Sequence, residues 1–295
     1  MLNFKLIEKS DIKKIQKYYN NPECISLDNN AVSAYLWRNE YNIKFAFSNS
    51  CLIKALFNDN GSVQGYYIPQ GENIKAAVEA IFDDAKERGG KPDLIMLSEA
   101  NRIMLETMFP KKFNYKLTPE SQDYIYLSED LINLSGRKFH SKRNHISKFK
   151  NAYPNFKFEK INASNKEDAF QAALEWCLKN KIDIENYQEI KAIREALDNL
   201  EEFKMSGGIL YVGEKAVAMT LGLEISPIAF DTCFEKALSE YDGAYAVINN
   251  EFAKTLSSYK YINREEDMGI EGLKRAKLSY NPIILFTRYN ATLRL

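Results

Sequence analysis

From position 263 to 282 the sequence reads Asn-Arg-Glu-Glu-Asp-Met-Gly-Ile-Glu-Gly-Leu-Lys-Arg-Ala-Lys-Leu-Ser-Tyr-Asn-Pro. Arg264 is followed by three consecutive acids, Glu265, Glu266 and Asp267. A carboxylate at a strand end can take the proton of an amine that must become a nucleophile, and crowded like charges raise a pKa into the useful range. Each of the three is a candidate base, and at least one of them is available to pair with Arg264. Tyr280 is a candidate proton donor to a leaving group. Lys277, a turn beyond Leu273, is a candidate contact for an anionic substrate. The same residues also fit a solvated loop followed by a solvated helix face.

Three other stretches carry candidate chemistry. In Glu240-Tyr241-Asp242-Gly243-Ala244-Tyr245, a glycine followed by a small residue lets a ligand approach the backbone. The first N–H groups of the helix that follows are then available to donor phosphates, so Asp242, Gly243, Ala244 and Tyr245 form a candidate phosphate turn. A plain helix-capping turn fits equally well, because there is no Gly-Lys-Ser/Thr P-loop and no fuller glycine-and-arginine pattern. Asp231-Thr232-Cys233-Phe234, with Glu235 and Lys236, is expected on a strand lining a central cleft. Neither histidine is near Cys233 in sequence, which favours a buried structural thiol over a nucleophile. No G-x-S-x-G elbow supports a serine hydrolase. Residues 136–151 hold Arg137, Lys138, His140, Lys142, Arg143, His145, Lys148 and Lys150 without one acid. That density of positive charge suits phosphate or RNA, with Arg137, Lys138, Lys142, Arg143 and Lys148 as the candidate patch, although a solvated linker helix is the bland reading.

At 295 residues the chain exceeds a usual single domain. Lys plus Arg and Asp plus Glu are 40 each, so bulk charge argues for neither nucleic acid nor membrane, and such a partner needs a local patch. Four scattered cysteines and two histidines disfavour a structural zinc site, and no metal is expected. Reduced thiols, a start charged too early for a signal peptide, and the lack of an apolar run of ~20 residues point to a cytoplasmic protein with no transmembrane segment.

Period and turn signals give the elements. Strands are expected at 43–48, 51–57 and 63–68, with Asn58-Asp59-Asn60-Gly61 as a hairpin turn. Next come a helix over 72–88, a strand over 93–97, a helix over 99–109 and a closing hairpin of 113–117 with 124–127. A helix capped by Ser135 follows, docked by Phe139, Ile146 and Phe149. The second half shows a hairpin at 208–212 and 216–223, a strand at 228–234, a helix at 245–257, a strand at 259–262, a helix at 270–278 and a strand at 283–289. Hairpin, helix, strand, helix, strand thus occurs twice, which implies an old duplication of an α+β domain: residues 1–134 and residues 135–295, the latter entered by the basic helix 135–151.

The run 263–282 resembles the signature of bacterial proteins grouped with the phosphatidylglycerol lysyltransferase C-terminal domain. So do His140-Ser141-Lys142-Arg143-Asn144-His145-Ile146-Ser147-Lys148-Phe149 and Tyr241-Asp242-Gly243-Ala244-Tyr245, followed by Ile248-Asn249-Asn250-Glu251-Phe252-Ala253. The resemblance covers essentially the whole chain. It implies two tandem GNAT-like (acyl-CoA N-acyltransferase) folds, as in Fem-type aminoacyltransferases. It also implies acyl or aminoacyl transfer from acyl-CoA or aminoacyl-tRNA to an amine or hydroxyl of a small-molecule or peptide acceptor, with no prosthetic group. The membrane-bound lysyltransferases carry a long transmembrane region that this sequence lacks. The alternative is a non-catalytic protein that keeps the fold to bind a nucleotide or RNA.

Overall fold

The structure, a computed structural model, describes residues 1–27 and 30–294. It is a mixed α/β fold with two mixed sheets flanked by helices.

One compact unit comprises Met1–Asn20, Asp28–Gln122 and Phe286–Leu295. Its sheet runs, edge to edge, Lys5–Leu6, Ile43–Ser48, Cys51–Phe57, Val63–Tyr67, Leu94–Leu97, Tyr289–Leu293 and Phe113–Leu117, with Gln70–Gly71 beside Cys51–Phe57. The Asn58 turn closes as expected, Gly61 donating to the Asn58 carbonyl at 2.9 Å with φ +82°. Ile53, Tyr66, Val78, Ile81, Leu94, Leu105 and Phe113 fill the core between the sheet and the helices Ile74–Glu87 and Glu99–Met108.

The other unit comprises Asn21–Leu27 and Asp123–Leu285. Its sheet order is Ile284–Phe286, Asp123–Leu127, Tyr261–Asn263, Ala229–Ala237, Lys215–Ser226, Met205–Val212 and Lys157–Lys160. Ala229–Ala237 and Tyr261–Asn263 are parallel, and the helix Ala244–Thr255 lies between them in the chain, as a parallel connection requires. That helix and Lys166–Lys179 pack on the central strands, Phe230 meeting Phe252 and Lys236 meeting the ring of Trp176.

Three expectations are corrected. The closing hairpin of 113–117 with 124–127 does not form: Phe113–Leu117 pairs with Tyr289–Leu293, and Asp123–Leu127 pairs with Tyr261–Asn263 in the other sheet. Burial explains the choice, since Tyr124, Ile125 and Tyr126 are fully buried, whereas Phe113–Leu117 buries only Phe113 and suits an edge. The strand expected over 283–289 is two strands, Ile284–Phe286 and Tyr289–Leu293, one in each sheet. The basic helix opens as a 3-10 turn, Arg137–Phe139, continuous with the α-helix His140–Ala152, and has no side-chain cap from Ser135.

Candidate active site

Everything expected to act between 264 and 280 hangs on the parallel strand pair. Pairing runs Ala229 with Tyr261, Phe230 with Ile262 and Asp231 with Asn263, and there the shorter strand ends while its partner continues to Ala237. The carboxyl ends of adjacent parallel strands are where α/β sheets hold ligands. On the longer strand, Leu223 faces Asp231 and Leu221 faces Phe234, so Thr232 and Cys233 together oppose Gly222. This is a β-bulge, which re-aims the side chains it carries. Gly222 permits it, because a Cβ there would overlap the Asp231 carbonyl oxygen.

The bulge brings Cys233 together with Asp231 and with Glu265 on the loop after the shorter strand. One ligating atom from each lies within 4.8 Å of the other two. Asp231 is fully buried, and neither of its carboxylate oxygens has a hydrogen-bond partner among the described residues. Burial pushes its carboxyl well above the usual range and the charge of Asp123 adds to this; the Cys233 thiol works the other way without forming a geometrically complete hydrogen bond. Burial likewise pushes Glu265 well up, reinforced by Asp231 and Glu266, with Lys277 opposing. The Cys233 thiol is raised for the same reason, which fits the expectation that it is no thiolate nucleophile.

The three candidate acids have separated into different roles. Asp267 is buried and tied down, accepting from the Tyr124 hydroxyl at 2.5 Å and from the Gly269 amide at 2.9 Å. Glu266 is half-buried. Glu265 is half-buried, its backbone sits in the left-handed region at φ +56°, and its amide donates to Asn263 Oδ1 at 2.7 Å. A non-glycine residue in that region is strained, and such strain persists where surrounding contacts over-determine it. Those contacts are visible: Tyr124 donates to the Glu265 carbonyl at 3.1 Å, and Arg264 donates to the Tyr124 carbonyl at 3.1 Å.

Lys277 corrects an expectation. Its buried ammonium donates to the carbonyls of Arg264 at 2.5 Å and Glu265 at 3.1 Å, and also to that of Glu266. All three N–H bonds are thereby used on the loop backbone, and none is left for an anionic substrate. The Lys277 backbone is held as well, its carbonyl accepting from the Tyr126 hydroxyl at 2.8 Å.

The cation the site offers is Arg264. Its Nη2 donates to Glu235 Oε1 at 2.8 Å, from the continuing part of the longer strand, while Nη1 is buried without a hydrogen-bond partner among the described residues. Its guanidinium lies 4.9 Å from the centre of the Tyr280 ring, and Lys142 Nζ lies 3.9 Å from that same ring. Burial, with the nearby positive charge of Arg264, brings Lys142 down to about 8. Burial pushes Tyr280 up to about 12, so it holds its proton at neutral pH. The strand alternation Asp231, Cys233, Glu235 was the available signal for the partners of Arg264 and Glu265, a polar run inside an apolar strand.

The remaining candidates are elsewhere or otherwise engaged. At Gly243, φ +90°, a Cβ would overlap the His145 carbonyl oxygen, so this glycine serves the close packing of the basic helix on the turn. Asp242 is exposed, with His145 Nδ1 at 3.7 Å. Ala244 donates to the Tyr241 carbonyl at 2.9 Å and is buried, whereas Tyr245 is largely exposed. The basic patch is thinner than its sequence: Lys138 pairs with Asp130 at 2.8 Å, Arg143 is spent on the Leu134 and Gly136 carbonyls, and Lys142 turns in over Tyr280. Arg137 and Lys148 are the exposed cations of the patch without a partner among the described residues.

Comparison with known proteins gives the family and the fold. The family model described as "Phosphatidylglycerol lysyltransferase, C-terminal" matches residues 27–292. The chain belongs to that family. A conserved protein of unknown function from Bacteroides thetaiotaomicron VPI-5482 is 35% identical over 100% of both chains, with a TM-score of 0.87. L-PGS from Bacillus licheniformis has a TM-score of 0.67 at 13% identity, covering 98% of this chain and 94% of that one, and FemX a TM-score of 0.60 at 8% identity, covering 99% and 98%. Both are likenesses of fold. The uncharacterized protein MYCGA3080 of Mycoplasmoides gallisepticum is 25% identical over 204 residues, 66% of this chain and 64% of that protein's length. Among the described residues, no helix of this member of the lysyltransferase C-terminal family is long and apolar enough to cross a membrane.

Proposed function

We propose that this protein is an acyl- or aminoacyltransferase whose reaction takes place where the strands Ala229–Ala237 and Tyr261–Asn263 part company. The observation that carries the reading is the placement of Glu265, held on a strained loop against the bulged strand beside Asp231 and Cys233, where burial raises its carboxyl. An acyl donor enters as a thioester of CoA or as an ester of tRNA. The acceptor nitrogen or oxygen attacks the carbonyl carbon, a C–N or C–O bond forms, and the C–S or C–O bond to the carrier breaks. Glu265 takes the acceptor's proton, a task for which a raised pKa makes it a stronger base. Tyr280, which keeps its own proton, supplies one to the departing thiolate or ribose oxygen. The unpartnered Nη1 of Arg264 takes the place intended for Lys277, as a donor towards negative charge on the donor substrate. Tyr245, an exposed residue in the first turn of the helix Ala244–Thr255, is the remaining part of the expected phosphate turn. Two tandem GNAT-like halves, the second entered by the basic helix, are the matching architectural reading.

The test is turnover by mass spectrometry, with acyl-CoA and aminoacyl-tRNA pools offered separately against amine and hydroxyl acceptors. Glu265→Gln is expected to lower the rate ~10²–10⁴-fold while leaving the melting temperature near that of the parent. Full activity in that variant removes Glu265 as the base. Binding of CoA or tRNA without product from any donor marks a protein that binds and does not transfer. With Arg137 and Lys148 as the unpartnered cations of the basic helix, Arg137→Glu with Lys148→Glu reports on RNA: retained tRNA affinity at every salt concentration excludes that surface.

A further inference from the structure

We propose that Asp231, Cys233 and Glu265 form a binding site for one divalent transition-metal ion of the zinc class. The carboxylates and the thiol converge, each offering an atom within 4.8 Å of the other two. Acidic clusters on surfaces are commonplace. This one is not on the surface, for Asp231 is fully buried, Cys233 is 8% exposed, and neither Asp231 oxygen has a hydrogen-bond partner among the described residues. A buried carboxylate without partners is costly, and its counterpart must be a proton or a cation. The local cation does not serve, because the ammonium of Lys277 is committed to the carbonyls of Arg264, Glu265 and Glu266.

The donor set indicates which cation. Two carboxylate oxygens and one sulfur form a mixed hard and soft set; calcium and magnesium are hard ions that take oxygen ligands alone. Zinc accepts both donor types, and three protein ligands are what an open, four-coordinate site carries, with the last position left to water or substrate. On binding, the thiol proton and any proton held by the Asp231 and Glu265 carboxyls leave to solvent, and the groups ligate as thiolate and carboxylates. The bulge opposite Gly222 is the backbone device that delivers Asp231 and Cys233, two positions apart, to one centre.

This site does not need the transferase reading, but it bears on it: a Glu265 carboxylate that ligates a metal cannot also accept the acceptor's proton. Zinc-loaded protein is therefore expected to be inactive and to regain turnover with a chelator. The primary experiment reads no activity. Chelator-treated protein is titrated with zinc chloride by calorimetry, and with cobalt(II) by absorbance, in parallel with Cys233→Ser, Asp231→Asn and Glu265→Gln. The expected result is about one ion per chain, a thiolate-to-cobalt charge-transfer band that vanishes in Cys233→Ser, and affinity lower by at least ~10-fold in each variant. Because Asp231→Asn alters a buried position, its fold is checked by circular dichroism, and the half-buried Glu265→Gln carries the test if it fails. Absence of zinc binding by the parent at micromolar concentration overturns the site. So does binding that all three variants leave unchanged, or cobalt spectra without a thiolate band. If zinc binds as stated yet no donor is ever turned over, the metal site stands and the transferase reading falls.

Discussion

Replacing Lys277 by methionine is expected to loosen the loop rather than weaken substrate binding. Methionine nearly preserves the length of the side chain and removes only the ammonium. Three carbonyls lose a donor, but that of Glu265 retains the Tyr124 amide at 3.1 Å, which leaves those of Arg264 and Glu266 without a hydrogen bond among the described residues. An orphaned buried acceptor costs about 1–3 kcal/mol, so two cost about 2–6 kcal/mol. Relief from burying a charge offsets part of this, leaving ~2–4 kcal/mol. At ~2–4 °C per kcal/mol for a folding unit of this size, the melting temperature of the transition containing this unit falls by about 4–16 °C. Calorimetry with near-ultraviolet circular dichroism measures it, since Tyr124 and Tyr126 pack at the loop. A melting temperature within about 1 °C of the parent, together with a raised KM for the donor, would refute the reasoning and restore Lys277 as an anion contact.

Two further outcomes follow from buried charge. Burial holds the folded-state pKa of Asp231 above its unfolded value, with Cys233, Asp123, Lys277 and Glu266 as ionisable groups acting on it and Glu265 interacting with it. The native state then holds more protons than the unfolded one from about pH 4 upward, so this group's contribution is fully present below that pH and is lost as pH rises through the raised value. In chelator-treated protein, Asp231→Asn is therefore expected to flatten the decline of the urea midpoint as pH rises above about 4; an unchanged slope contradicts the assignment. The Arg264–Glu235 pair, 2.8 Å apart with side chains 14% and 10% exposed, is expected to cost about 3–5 kcal/mol when either partner alone is made apolar and much less when both are. A double-mutant cycle on Arg264→Met and Glu235→Leu checks this, and additivity within ~0.5 kcal/mol counts against a coupled pair.

Much of the local structure was legible. Cys51–Phe57 and Val63–Tyr67 fall where β-branched and aromatic residues cluster around Asn58-Gly61, because turn chemistry and side-chain period act over a few residues. The helix Glu271–Leu278 and the strand ending at Asn263 likewise lie within a residue or two of expectation. Strand partners were not legible in the same way. Tyr124-Ile125-Tyr126 reads as a strand from any vantage, but whether it pairs with Phe113–Leu117 or with Tyr261–Asn263 depends on which surface buries all three side chains.

The same division holds for the candidate site. The sequence by itself determined that Arg264, Glu265, Glu266 and Asp267 stand in a row after a strand and before a basic helix, since order along the chain is covalent. It also supplied Asp231, Cys233 and Glu235 as polar residues in an apolar strand. Only the tertiary structure decided which acid is tied to Tyr124, which is left with a raised pKa, and that Lys277 holds the loop instead of facing outward. Those outcomes depend on desolvation and on partners tens to more than a hundred residues away, as in Tyr124 with Asp267, and no local propensity encodes such distances.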